Sequence, residues 1–151
     1  MKNVLISACL YGEKCRYDGK DNFLSKLDEI KKICNLIPIC PEVMGGLSTP
    51  RNPSEIVGGK VIMNDGTDVT KEYAKGAKAT LAAALENGCK VALMKAKSPS
   101  CGVGKIYDGT FSRTLVDGDG MTVRLLKENG ITVFNETQID ELIEYISEEE
   151  K

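Results

Sequence analysis

Asn3-Val4-Leu5-Ile6-Ser7-Ala8-Cys9 opens the chain with a short apolar run that ends at a thiol. The arrangement returns twice: Leu36-Ile37-Pro38-Ile39 leads into Cys40, and Val91-Ala92-Leu93-Met94 precedes Cys101. Short apolar runs bounded by turn-forming residues read as buried strands. Strands separated by helical segments pair in parallel, which points to an α/β layer fold. In an open parallel sheet, ligands bind beyond the carboxyl ends of the strands. Cys9, Cys40 and Cys101, distant in sequence, are therefore expected to meet at one edge of one sheet. Three such thiols form a candidate soft-metal site, with iron–sulfur first among the options.

The rest of the chain supplies the connecting elements. A strand over about 3–8 is followed by a loop, Tyr11 to Asn22, rich in Gly, Lys and Asp. A helix is expected near 23–35, with Leu24, Leu27, Ile30 and Ile33 on one face. After a strand over 36–40, the stretch Pro41 to Gly59 is rich in proline and glycine and reads as an ordered loop. Lys60 to Met63 suits a short strand turned by Asp65-Gly66. Val69, Tyr73, Ala77, Leu81 and Leu85 then recur at helical spacing, predicting a helix near 70–87 that Gly88 ends. A strand over 90–95, a hairpin over 105–114 around Asp108-Gly109, a helix near 119–129, a strand over 131–134 and a helix over about 138–148 complete the pattern. The tail Glu148 to Lys151 is expected to fray. The expected fold is a single three-layer Rossmann-like α/β domain over residues 1–151, with a mostly parallel core sheet and a small β-hairpin excursion.

Composition narrows the function. A chain of 151 residues suits one domain with a sizeable core. The net charge of -2, with no basic stripe interleaved with aromatics, argues against nucleic-acid binding. No apolar run approaches the ~18 residues of a membrane span. The N-terminal run turns polar at Tyr11-Gly12-Glu13-Lys14, too soon for a secretory signal, so a cytoplasmic protein with reduced thiols is expected. The chain has no histidine, which excludes His-containing zinc fingers and nucleophiles activated by histidine. Acid–base chemistry must come from carboxylates, Cys, Lys or Tyr.

The six cysteines differ by position. Cys34, on the apolar face of the first expected helix, and Cys89, at the start of a strand, read as small buried hydrophobes. Cys15 is open to three readings: a fourth ligand, a resolving thiol or a structural residue. No Cys-x-x-Cys occurs, against a zinc ribbon, a thioredoxin-type pair or the usual ferredoxin run. Spacing alone leaves the metal open, and zinc held by the same three thiols with Cys15 or water is the alternative. Glu42 lies two residues after Cys40, and Ser100 stands next to Cys101. Arg16, Arg51 and Arg113 are loop arginines suited to an anionic or carbonyl-rich group. Singly, each also reads as an ordinary cap, turn or surface charge.

Five segments in order carry a resemblance. They are Ser7-Ala8-Cys9-Leu10, Cys15-Arg16-Tyr17-Asp18-Gly19, Cys40-Pro41-Glu42-Val43-x-Gly45-Gly46-Leu47, Thr49-Pro50-Arg51-x-Pro53-x-Glu55 and Ser98-Pro99-Ser100-Cys101-Gly102. Together they resemble a bacterial and archaeal family, long catalogued as a domain of unknown function, that includes the 2-thiouracil desulfidases. The resemblance implies an oxygen-labile 4Fe–4S cluster held by Cys9, Cys40 and Cys101, with one iron open to a substrate sulfur. It implies Glu42 as the acid–base carboxylate, in a setting of apolar burial, and Ser100 as a hydroxyl that orients substrate or a proton. The expected reaction is non-redox removal of sulfur from a small thio-compound such as 2-thiouracil. The alternatives are a zinc- or thiol-dependent small-molecule enzyme and a non-catalytic Rossmann-like module binding an anion or nucleotide.

Overall fold

Alternation along β1 (Lys2–Ser7) explains the layering, because Val4 and Ile6 point to one face of the sheet and Leu5 to the other. The computed structural model describes residues 2–149. Met1 and, from the tail expected to fray, Glu150 and Lys151 lie outside the described residues. After β1 come α1 (Leu27–Lys31), β2 (Cys34–Ile39), α2 (Pro41–Met44), β3 (Ser54–Val57), β4 (Lys60–Met63), α3 (Thr70–Glu86), β5 (Val91–Met94), β6 (Lys105–Tyr107), β7 (Leu115–Asp117), α4 (Met121–Glu128), β8 (Thr132–Asn135) and α5 (Ile139–Glu149).

The core sheet has the order β2-β1-β5-β8, with every pairing parallel. Val4, Ile6, Val91 and Leu93 pack with Leu27 and Ile30 of α1 and Leu142 and Ile146 of α5. Leu5, Ala92 and Met94 pack with Ala84 of α3 and Val123 and Leu126 of α4. Both faces are covered, which is why the strands read as unbroken apolar runs. Val4, Leu5 and Ile6 are fully buried, each contributing roughly 1.5–3 kcal/mol. The expected mixed α/β layers with a mostly parallel core sheet are present, and two antiparallel hairpins, β3–β4 and β6–β7, stand beside them. No helix among the described residues is long and apolar enough to cross a membrane.

From β1 the chain leaves through α1 to β2 on one side, then returns through α3 to β5 on the other. The order therefore reverses between β1 and β5, where such folds open a crevice.

Three expectations are corrected. The first helix is confined to Leu27–Lys31, because Asn22 N–H and Leu24 N–H donate to the Cys9 and Leu10 carbonyls at 2.9 and 3.1 Å and hold the preceding residues in a loop. Cys34 consequently opens β2 instead of lying on a helix. Pro41 to Gly59 is not loop throughout: Pro41 starts α2, where its fixed φ suits the first helical turn, and Ser54–Val57 pairs with β4. The Asp108-Gly109 hairpin is wider than a tight turn. Its strands end at Tyr107 and resume at Leu115, and the Asp108 carboxylate accepts from the Thr110 amide and hydroxyl.

α2 sits on α3 through glycine. A Cβ on Gly76 would overlap the Pro41 carbonyl, at 2.8 Å from its carbon, and one on Gly45 would overlap the Glu72 carbonyl. This backbone-to-backbone contact fixes α2, and with it Cys40 at its N-cap and Glu42 in its first turn.

Candidate functional site

The loop after β1 carries Cys9 and Cys15, the β2–α2 junction carries Cys40 and Glu42, and the loop after β5 carries Ser98 and Cys101. All six residues line one cavity of about 530 Å³ at the carboxyl edge of the sheet. The Ser98–Gly102 loop is held by the start of α4, whose first amides have no side-chain cap. Met121 N–H donates to the Pro99 carbonyl at 2.7 Å, Thr122 N–H to the Ser100 carbonyl at 3.1 Å, and Gly120 N–H to the Gly102 carbonyl at 2.8 Å. Orphan donors of the helix thus fix the loop that presents Cys101.

The thiols interact. The Cys15 thiol stands between Cys9 and Cys40, and their pull on its single proton pushes its ionisation far above the usual thiol range, while Cys40 Sγ reaches the Cys15 carbonyl at 3.9 Å. The Cys15 bond brings Cys9 down to about 7, against opposing burial. Cys40 is lowered chiefly by the same partner. Burial holds Cys101 well above an ordinary thiol, although the Ser7 hydroxyl favours its thiolate. Two thiols drawn toward their thiolates and one held protonated by burial, all of which a bound cation would deprotonate, make a soft donor set. Among the described residues, no group of three or more Cys, Asp or Glu side chains is gathered tightly enough to hold a metal ion as it stands. Cys9, Cys15, Cys40 and Cys101 nevertheless share the wall of one cavity.

Glu42 does not sit among apolar side chains. Arg51 donates to its Oε2 from Nε at 2.8 Å and from Nη2 at 2.5 Å. The side chains are 14% and 4% exposed for Glu42 and Arg51, so this is an inward-facing, two-pronged pair rather than a surface bridge. Nη2 also donates to the Cys15 carbonyl at 2.9 Å, and Nη1 to the Ser48 carbonyl at 3.2 Å. The anionic and carbonyl-rich group expected for Arg51 is thus internal, and it ties the Cys15 loop to α2. With Oε2 taken by Arg51, Oε1 accepts from Ser98 Oγ at 3.4 Å. Tyr73, expected only as a core position on its helix, turns its phenol toward Glu42 and Ser54; burial and then the Glu42 charge raise its ionisation well above the ordinary range.

Ser100 lies elsewhere. It is fully buried, its Oγ is 2.7 Å from Thr122 Oγ1, and it does not line the cavity. The hydroxyl that reaches Glu42 belongs to Ser98, which also accepts from the Ser100 and Cys101 amides at 3.0 and 3.1 Å. Sequence reasoning missed Ser98. A serine hydroxyl capping the amides two and three residues on is the usual serine turn, and that signal placed its oxygen at the bend. Arg16 is engaged by Asn22 and Asp18, whereas Arg113 lines the cavity with no carboxylate partner among the described residues.

Comparison with known proteins matches this architecture. A family model described as 2-thiouracil desulfurase matches residues 4–138. An uncharacterized protein of Bacillus subtilis (strain 168), YbbK, is 39% identical over 150 aligned residues, covering 93% of this chain and 99% of that protein. A solved structure titled [4Fe-4S]-dependent thiouracil desulfidase TudS superposes with a TM-score of 0.92 at 42% identity, covering 97% of this chain and 99% of that one.

Proposed function

The chain belongs to the 2-thiouracil desulfurase family, and on that footing we propose that it is a 4Fe–4S-dependent, non-redox desulfidase. Its substrate is a thiolated nucleobase such as 2-thiouracil or a related small thio-compound. Residues 1–151 act as one catalytic domain, placed in the cytoplasm. The supporting observation is the convergence of Cys9, Cys40, Cys101, Glu42 and Ser98 on one cavity, in a chain close to a desulfidase whose title names that cluster. None of the three comparisons names zinc or a non-catalytic binding module.

Cys9, Cys40 and Cys101 would hold the cluster. When bound, it would supply an iron without a protein ligand, a Lewis acid with affinity for soft sulfur. The chain's own residues do the rest. Arg51 fixes Glu42 Oε2, so Oε1 takes a proton from water as the water oxygen adds to the C=S carbon. Ser98, with two amides on its oxygen, aims its own proton at Glu42 or the substrate, and can pass one between them. Carbon exchanges sulfur for the oxygen of water, sulfide departs with both of that water's protons, and no electron is gained or lost overall. Cys15 stays a protonated thiol beside Cys9 and Cys40 rather than a ligand.

Anaerobic incubation of the cluster-loaded protein with 2-thiouracil is expected to yield uracil and sulfide in equal amounts. Absence of both across a series of thiones counts against the reading. The two serines divide the roles. Ser98→Ala should lower kcat by about tenfold or more, whereas Ser100→Ala should leave kcat near wild type and cost about 1 kcal/mol of stability through the Thr122 hydroxyl it leaves unpaired. The reverse pattern would return the catalytic hydroxyl to Ser100.

A further inference from the structure

All three non-glycine residues with left-handed backbone among those described, Lys97 (φ 73°), Phe111 (φ 57°) and Arg113 (φ 62°), line the cavity. Such conformations persist only where the surroundings over-determine them, and they gather at ligand sites. Two of the three lie in the Asp108–Thr114 tip of the β6–β7 hairpin, and one side chain outside the tip holds it. Glu55 on β3 is 8% exposed, and its Oε1 accepts from the Gly109 amide at 3.0 Å and the Phe111 amide at 3.3 Å. No Lys or Arg pairs with Glu55 among the described residues. Its buried carboxylate is compensated by the tip's amides, so lifting the tip would leave a buried charge without donors. The seat is close on the backbone side too, since a Cβ on Gly109 would meet the Ile56 carbonyl and Val57.

We propose that Glu55 is a positioning residue: by clamping the hairpin tip it sets Phe111 and Arg113 as the outer wall that grips the thio-substrate in the cavity. The inference rests on the desulfidase reading for the identity of the ligand but not for the clamp itself. Phe111 offers an apolar ring to the face of a planar heterocycle. Arg113, with no carboxylate partner among the described residues, offers donors to the ring's exocyclic oxygen. Phe111 and Arg113 are exposed, whereas Glu42 and the thiols are buried or half-buried and belong to other segments of the cavity lining, so the clamp governs substrate retention and not the proton-transfer step.

Two measurements test this on the full chain, for Glu55→Ala and the near-isosteric Glu55→Gln. Amide hydrogen exchange at Gly109 and Phe111 should accelerate by about tenfold or more in Glu55→Ala, and less in Glu55→Gln, whose carbonyl still accepts. In the loaded enzyme, KM for the thione should rise by about tenfold in Glu55→Ala while kcat and the cluster's visible absorbance stay near wild type. Partial recovery of KM in Glu55→Gln separates the clamp from a general loss of folding. Unchanged exchange at both amides, or a fall in kcat with KM constant, overturns the proposal. If the wild-type enzyme turns over no thione, the desulfidase reading fails while the exchange result still decides the clamp.

Discussion

Glu42→Gln is expected to reduce kcat by about a hundredfold to ten-thousandfold, the range typical of a lost general base, with the iron–sulfur chromophore intact. The chain has no histidine, and Glu42 is the carboxylate of the cavity that both contacts the Ser98 hydroxyl and lies two residues after Cys40, a proposed cluster ligand. Glutamine keeps the shape and one accepting oxygen, so Arg51 can still donate to it. It loses the ion pair, and Arg51, with a side chain 4% exposed, is left as a weakly compensated cation. A measurable drop in thermal stability, on the order of 1.5–3 kcal/mol, should accompany the kinetic loss. A protein that melts earlier but turns over at the wild-type rate would assign Glu42 to architecture. One that melts normally but has lost its iron would place Glu42 in cluster retention.

Gly76→Ala is expected to destabilise the protein by roughly 2–3 kcal/mol and to lower Tm by about 5–10 °C. The sign is opposite to the rule for a helix interior, where alanine replaces glycine with a gain of about 1 kcal/mol. Here the new methyl would stand 2.8 Å from the Pro41 carbonyl carbon, nearer still to its oxygen, and 3.3 Å from Gly45 N. α2 has little freedom to retreat, because it follows β2 directly and the Pro41 carbonyl already accepts from the Gly45 amide at 2.9 Å. Any retreat moves Cys40 and Glu42, so cluster loading should fall with stability. Differential scanning calorimetry beside iron analysis checks both; a rise in Tm would mean that α2 is not seated on α3 as described.

Much of this was legible in the sequence because it depends on local pattern. Residues such as Leu5 and Leu93, buried by helices on both faces of the sheet, must be apolar without alternation, and that reveals the parallel core. The position of a thiol after each run then follows from topology. The first helix is shorter than its apolar periodicity suggests because backbone bonds from Asn22 and Leu24 to the β1 loop outweigh a pattern that also suits a helix. α2 and β3 were hidden in a stretch whose proline and glycine signal loop, although Pro41 is placed to begin a helix and Gly45 to let it touch α3.

The site's finer division of labour was not legible, since it depends on side-chain direction across distant segments. Arg51 and Glu42 are loop and helix residues that only the fold makes a pair. Ser98 and Ser100 stand two residues apart in one motif and face opposite ways, one to the cavity and one to Thr122. Glu55 closes the Thr49-Pro50-Arg51-x-Pro53-x-Glu55 segment, yet its partners in the hairpin tip lie more than fifty residues on.

The most direct test of the account is the iron and acid-labile sulfide content of protein reconstituted without oxygen, read with its visible spectrum. The account predicts about four irons per chain and a broad absorbance near ~400 nm, lost in Cys9→Ser, Cys40→Ser and Cys101→Ser and kept in Cys15→Ser. Little iron in the wild type, or iron retained by all three ligand variants, would contradict it.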